Sequence, residues 1–352
     1  MSGMPTPSQL DTEWPLRVVA WQTTHGRHDL PWQNTRDPYR VWLSEIMLQQ
    51  TQVVTVLDYY ARFLARFPDV RALAAASQDD VLGLWSGLGY YSRARNLHRC
   101  ARQVVSVHHG VFPQTSEQLK TLPGIGPSTA AAVASLCFGE RAAILDGNVK
   151  RVLTRVLGVD ADLSVLSNER ALLAQAVRLL PTQDLYHAMP RYTQGVMDLG
   201  ATVCTPRQPD CLLCPVQDVC VARAQGQPER YPVKTKKLKR TALSIWLLQA
   251  QDSEGGVWLS QRPVPGVWAG LHCLPLFESR AALVDAVPAP WCDGLMDQPA
   301  FVHVLTHKDL HLHVVRLDVP SGQALMQLPG TRVAKTAWPS LGLPAPVRKL
   351  LA

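Results

Sequence analysis

At 352 residues the chain is longer than one hydrophobic core commonly serves, so two domains are the first expectation. Hydrophobic residues at 47% and charged residues at 18% describe an ordinary globular protein, and no apolar run is long enough to span a bilayer. The net charge of +7 points toward an anionic partner without specifying which.

The start, Met1 to Trp14, carries Asp11 and Glu13 and has neither a basic n-region nor an apolar h-region, so no secretory signal is expected. Eight cysteines in such a chain suit a reducing compartment, with the cytoplasm as the expected location. From about Leu16 to Val221 the pattern is helical. Apolar residues recur at i, i+3 and i+4 from Val41 to Leu57, and similar stretches run through 70–85, 92–107, 128–137, 148–157 and 169–180, separated by breakers such as Phe67-Pro68, Ser86-Gly-Leu-Gly89 and Pro123-Gly124. Glu45 falls within the first stretch, where a carboxylate must be paired, protonated or lining a cavity; a surface glutamate on the helix edge is the plainer alternative.

Leu122-Pro-Gly-Ile-Gly-Pro-Ser-Thr joins one helix to the next through Gly124 and Gly126. Glycines there let backbone N–H groups approach an anion, and the following helix N-terminus adds the positive end of its dipole; an ordinary helix connection fits equally well. Twenty residues past Gly126 stands Asp146, a lone carboxylate at a helix start, which reads most simply as an N-cap. Two carboxylates meeting in one pocket suit glycosidic bond cleavage, one protonating the leaving group and the other stabilising an oxocarbenium-like centre. The sequence by itself does not bring Glu45 and Asp146 together.

Cys204, Cys211, Cys214 and Cys220 form C-x6-C-x2-C-x5-C, four soft ligands that suit either tetrahedral zinc or an iron–sulfur cluster. Cys100, Cys137, Cys273 and Cys292 are isolated and read as small buried hydrophobes. After the cysteines the composition shifts to a basic linker rich in lysine, 226–240. Beyond it, Ala242 to Leu248, Val257 to Ser260 and His311 to Leu317 read as strands, with one helical stretch near Arg280 to Val287. His303, His307, His311 and His313 alternate with valines and leucines as on a strand's polar face, which is favoured over a metal site.

The hairpin, Asp146 and the four cysteines, in this order, resemble the helix-hairpin-helix DNA glycosylase superfamily, and the cysteine spacing resembles its endonuclease III branch. Leu30-Pro-Trp32, the run from Arg36 to Val53, Trp85 to Leu97 and Met197-Asp-Leu-Gly-Ala closely resemble the adenine DNA glycosylase (MutY) family. The resemblance implies a multi-domain protein: an all-α helix-hairpin-helix glycosylase domain with a [4Fe–4S] cluster loop over residues 1–225, the linker, and an α+β Nudix-like lesion-recognition domain over 241–352. It implies Glu45 as the acid that protonates adenine N7, and Asp146 as the carboxylate that stabilises or transiently bonds C1′. Trp32 and Leu48 would line the adenine pocket with Gln194 near the base edge, and Gln50 and Tyr90 would wedge into the duplex. Gly124, Gly126 and Ser128 would meet the DNA.

Lysine-using relatives carry their amine two residues after the second hairpin glycine, where this chain has Ser128. A monofunctional hydrolysis leaving an abasic site is therefore expected, on a target nucleotide flipped out of the stack. The implied partner is double-stranded DNA with adenine opposite 8-oxoguanine or guanine, bound by a monomer. Gly270 through Val287 lacks the Arg-Glu-x-x-Glu-Glu run of a Nudix hydrolase. Many relatives have Phe-Ser-His in the loop that meets 8-oxoguanine; here it is Leu305-Thr306-His307, followed by Lys308-Asp309, which reads as an insertion. The rival readings are a sister glycosylase for oxidised pyrimidines, opposed by Ser128 and the second domain, and a catalytically silent DNA-binding or redox-sensing cluster protein, opposed by Glu45 and Asp146.

Overall fold

The computed structural model describes residues 7–235, 239–320 and 330–352. The first six residues, and Lys236 and Lys237 of the basic linker, lie outside the described residues. The chain forms two compact units, one of Met1–Tyr60, Asp69–Arg71 and Arg99–Lys237, the other of Ala61–Pro68, Ala72–His98 and Leu238–Ala352. Among the described residues no helix is long and apolar enough to cross a membrane.

The first unit is helical. The helix Leu185–Thr202 packs against Pro7–His25, Pro127–Phe138 and Gly147–Leu157. Its small residues permit that closeness: a Cβ on Gly195 would lie 2.9 Å from Val18 Cγ1, and one on Gly200 would lie 2.7 Å from Asn148 Cβ. Trp14, Val18, Val149, Val152, Leu199 and Val203 share one core, closed by the Trp14 indole donating to the Tyr192 hydroxyl at 2.9 Å. The apolar stretch from Val41 to Leu57 is not one helix. It breaks after Leu48 and resumes at Val53, and in the break Gln50 adopts a left-handed φ of 58°.

Two arginines of the Gly147–Leu157 helix hold the start of the cysteine loop. Arg151 donates to the carbonyls of Cys204 (2.8 Å) and Gly200 (2.6 Å), and the buried Arg155 donates to those of Thr205 (2.7 Å) and Pro206 (3.1 Å). These backbone acceptors have no other regular structure to pair with, so the helix and the loop are coupled through charge-assisted bonds.

The sequence reads 226–240 as a linker, yet its described first part is packed. Tyr231 is buried and its hydroxyl donates to Gln225 Oε1 at 2.8 Å, Leu163 N–H donates to the Val233 carbonyl at 3.1 Å, and the Thr235 hydroxyl bonds the Asp162 carboxylate.

The second unit combines helical segments, including Gln78–Trp85, with a sheet. Its strands are β1 (Thr241–Asp252), β2 (Val257–Gln261), β3 (His272–Cys273), β4 (Leu276–Phe277), β5 (Met296–Asp297), β6 (Phe301–Val304), β7 (Lys308–Val319) and β8 (Thr331–Val333). The main order is β3-β2-β1-β7-β5, with β4 on β1, β6 on β7 and β8 on β2. The long strands β1 and β7 run parallel, from Thr241 opposite Lys308 to Asp252 opposite Val319. Leu248, Ala250, Val315 and Leu317 point from them to the helix Arg280–Asp285, whose Leu283 is fully buried. His313 stacks on its cross-strand neighbour Trp246 with ring centroids 4.4 Å apart, and His303 tilts against Trp268. These two histidines thus serve as aromatic partners instead of occupying a purely polar face.

Candidate active site

The helix Pro38–Leu48 begins at Asp37, whose carboxylate accepts from Tyr39 N–H at 2.9 Å, with Pro38 at the first position where a missing N–H costs nothing. Tyr39, Val41, Trp42, Leu43, Ile46 and Met47 bury most of its circumference. Glu45 and Leu48 occupy the remaining stripe, and that stripe faces a cavity of about 470 Å³ that also exposes Trp32 and Gln194. Trp32 is held edge-on to Tyr60 with centroids 5.2 Å apart.

A groove of about 840 Å³ carries Glu45 and Leu48 together with Gln50, Ser128 and Asp146. Glu45 therefore lies on both the cavity and the groove. Asp146 is an N-cap as its position suggests, accepting from Val149 N–H at 2.7 Å, and it also lines the groove. The two readings of this residue are compatible, because a capping carboxylate uses one oxygen and leaves the other available.

Burial raises the Glu45 carboxyl to a pKa of about 7, and the nearby Asp146 charge adds to the rise. Asp146 is also raised by burial, but the Val149 and Asn148 N–H groups and the charges of Arg151 and Lys150 oppose the shift. The pair is thus asymmetric: one carboxyl holds its proton near neutrality and the other has donors that favour its anion.

The glycine hairpin abuts this groove. Gly124 has φ 77°, a left-handed backbone that costs glycine little, and Ile125 N–H closes the turn on the Leu122 carbonyl at 3.2 Å. Gly126 caps the Pro127–Phe138 helix without a side chain, and a Cβ there would meet no protein atom within 4 Å. Among the described residues nothing fills that space, beside the helix start whose first N–H groups have no intrahelical partner. Ser128 Oγ accepts from Leu145 N–H at 3.2 Å, tying the hairpin to the segment that presents Asp146.

Gln194 is oriented by residues to which the sequence assigns no role. Its Nε2 donates to Asp198 Oδ1 at 2.8 Å, and the fully buried Asp198 also holds Arg27 through an ion pair of 2.7 Å and the Arg27 N–H at 3.0 Å. A carboxylate only accepts, so the Gln194 amide must turn its oxygen away from Asp198. The one signal available was an acidic residue inside the otherwise apolar Met197-Asp-Leu-Gly-Ala.

Cys204, Cys211, Cys214 and Cys220 ring one small cavity between the Gly147–Leu157 helix and their loop. Cys214 receives the Val216 N–H, Cys220 those of Ala222 and Arg223, and the Arg155 guanidinium reaches Cys204 Sγ at 3.3 Å. Burial and the neighbouring sulfurs push the Cys214 thiol up to about 12. Donors thus reach three of the four sulfurs, Cys204, Cys214 and Cys220, and four soft thiolate ligands suit either an iron–sulfur cluster or zinc.

Tyr90 and Thr306 belong to the second unit, where their hydroxyls are hydrogen-bonded to each other. Tyr90 has φ 47°, like Gln50 a non-glycine residue in a sparsely allowed region, and its loop is tied by the Trp85 indole and Arg93 to the Gly89 carbonyl. Lys308 and Asp309 open β7, paired with Thr241 and Ala242. The tip is the tight Leu305–Lys308 turn, with Leu305 N–H donating to the Lys308 carbonyl at 2.8 Å. Arg240 clamps it, bonding the Leu305 and Thr306 carbonyls and the Asp309 carboxylate.

A family model for HhH-GPD superfamily base excision DNA repair proteins matches residues 43–178, and one for NUDIX domains matches 245–352. A thermostable thymine-DNA glycosylase of known structure aligns with a TM-score of 0.55 at 28% identity, over 62% of this chain and 98% of that one. The helical unit is that of a helix-hairpin-helix DNA glycosylase. The adenine DNA glycosylase of Buchnera aphidicola subsp. Acyrthosiphon pisum is 34% identical over 345 residues, covering 95% of both chains, and that of Mus musculus is 35% identical over 390 residues, covering 91% of this chain and 73% of its own. The chain belongs to the adenine DNA glycosylase family, hydrolases that act in base excision repair.

The Glu45 shift has a consequence for stability. A carboxyl whose folded pKa lies above its unfolded value costs nothing while protonated in both states, and it destabilises the fold as pH rises from about 4.5 through about 7. Glu45→Gln is therefore expected to melt higher than the unsubstituted protein at pH 8.5, with the difference vanishing near pH 4; calorimetry at the two pH values decides it, and an equal or lower melting temperature at pH 8.5 contradicts the burial argument.

Proposed function

We propose that this enzyme removes adenine mispaired with 8-oxoguanine or guanine in double-stranded DNA, with Glu45 as general acid and Asp146 as the carboxylate that stabilises the sugar cation. The observation that carries this reading is the half-buried, raised Glu45 carboxyl standing where the Trp32 cavity meets the Asp146 groove. A base turned out of the duplex enters the cavity, with Trp32 and Leu48 against its faces and the Gln194 amide oxygen accepting from its exocyclic amine. The protonated Glu45 donates to adenine N7 and turns a poor leaving group into a neutral one. As the C1′–N9 bond breaks, positive charge develops on the sugar, and the anion of Asp146 lies in the groove to stabilise it. Water then bonds to C1′ and gives its proton to the Glu45 carboxylate, leaving an abasic site and restoring the acid.

Ser128 offers a hydroxyl where an amine would be needed for a Schiff base, which favours simple hydrolysis. The hairpin N–H groups beside Gly126 suit a backbone phosphate, and the positive-φ residues Gln50 and Tyr90 suit wedges in the opened stack. In the second unit, Thr306 on the Arg240-clamped turn is the candidate reader of the opposite base. The four cysteines would hold a [4Fe–4S] cluster, which when bound crosslinks the loop that Arg151 and Arg155 tie to the Asp146 helix. We place the enzyme in the cytoplasm as a monomer.

Glu45→Gln and Asp146→Asn are each expected to slow single-turnover adenine release, from a duplex with adenine opposite 8-oxoguanine, by on the order of 100-fold or more while leaving duplex affinity nearly unchanged. Near-normal rates in either variant contradict the assignment. Protein isolated without air is expected to be yellow-brown with about four irons per chain; stoichiometric zinc without iron contradicts the cluster and leaves the glycosylase reading standing.

A further inference from the structure

The segment leaving the cysteine loop does more than connect domains. Glu229, Tyr231, Pro232 and Lys234 line the same groove as Asp146, Ser128 and Gln50. They are held there from several directions. Tyr231 is buried and bonded to Gln225, the Val233 carbonyl accepts from Leu163 N–H, and Asp162 takes the Thr235 hydroxyl and N–H. Glu229 accepts from Gln208 N–H at 2.7 Å, fixing the near end. Four separate attachments within seven residues make this stretch a wall and not a tether.

On that wall Lys234 is exposed and has no carboxylate partner among the described residues. An unpaired ammonium, mounted on a rigid segment and lining the groove that receives the flipped nucleotide's sugar, is complementary to one thing in a duplex: the phosphate backbone beside that nucleotide. We propose that Lys234 is a DNA phosphate contact, so that the interdomain segment forms one bank of the catalytic groove. The assignment rests on the glycosylase reading above. It explains why a stretch that composition marks as a linker is packed as tightly as a structured loop. Ser128 and Thr129, at the start of the helix that follows the hairpin, line the same groove without charge, and Lys234 supplies the charge that a salt-linked grip on the backbone requires.

The test is the salt dependence of binding by the full chain to a duplex carrying a tetrahydrofuran abasic analogue opposite 8-oxoguanine, which cannot be turned over. Each phosphate contact contributes about 0.9 to the magnitude of the slope of log affinity against log salt. Lys234→Gln is expected to reduce that magnitude by about 0.9 and to weaken binding most at low salt. Lys234→Arg should restore the slope, and Lys335→Gln, which removes an exposed lysine of the second unit, serves as the reference for loss of one surface charge. An unchanged slope in Lys234→Gln, or a loss equal to that of Lys335→Gln, overturns the contact while salt-linked binding by the unsubstituted protein upholds the glycosylase reading. Absence of salt-linked binding in the unsubstituted protein overturns both.

Discussion

The cost of keeping two carboxyl groups away from water in one place governs this active site. An isolated buried carboxylate is strongly disfavoured, and a second one nearby makes full ionisation of the pair worse. The structure resolves the conflict unequally. Asp146 receives N–H groups from the helix it caps and lies near Arg151 and Lys150, so its anion is supported; Glu45 receives no such support and holds its proton to about pH 7. Glycosidic cleavage needs that division, a proton for the departing base and a negative charge for the sugar it leaves behind. Under the proposed assignment, burial would leave the proton on Glu45 while the cap and the nearby Arg151 and Lys150 would favour the anion of Asp146.

The arrangement depends on the helix that Asp146 caps. Its N-terminus presents the carboxylate, its body sends Arg151 and Arg155 to the backbone and sulfur of the cysteine loop, and Gly200 brings the Leu185–Thr202 helix against Asn148. The same Leu185–Thr202 helix carries Asp198 and Gln194, and Asp198 orients the Gln194 amide that lines the Glu45 cavity. Cysteine loop, capped helix and the Glu45 cavity are therefore neighbours in one bonded framework, which the proposed cluster at the four sulfurs would brace.

Much of this was legible in the sequence, and what was missed has physical causes. Apolar periodicity located the helices because their buried faces repeat every three to four residues, and the chemistry-bearing residues stood out as carboxylates, glycines and thiols in otherwise apolar or clustered settings. The break at Gln50 was hidden because the flanking Leu48 and Val53 preserve the spacing across it, and only a backbone at positive φ reveals it. Asp198 was hidden because its partner Arg27 is 171 residues away in the chain, and no local pattern reports such a pair. The short strands β3 to β6 and β8 escaped because two to four residues are too few to show alternation. The segment around Lys234 looked like a tether: proline and lysine mark linkers on average, but hydrogen bonds to Asp162 and Leu163 are not encoded in composition.

The most direct test of the central claim is the pH dependence of adenine release under single-turnover conditions with saturating enzyme, using adenine opposite 8-oxoguanine. If burial makes Glu45 the proton donor, the rate falls as pH rises through about 7, following loss of the acid form. A rate that stays level or climbs from pH 6.5 to 8.5 contradicts the account.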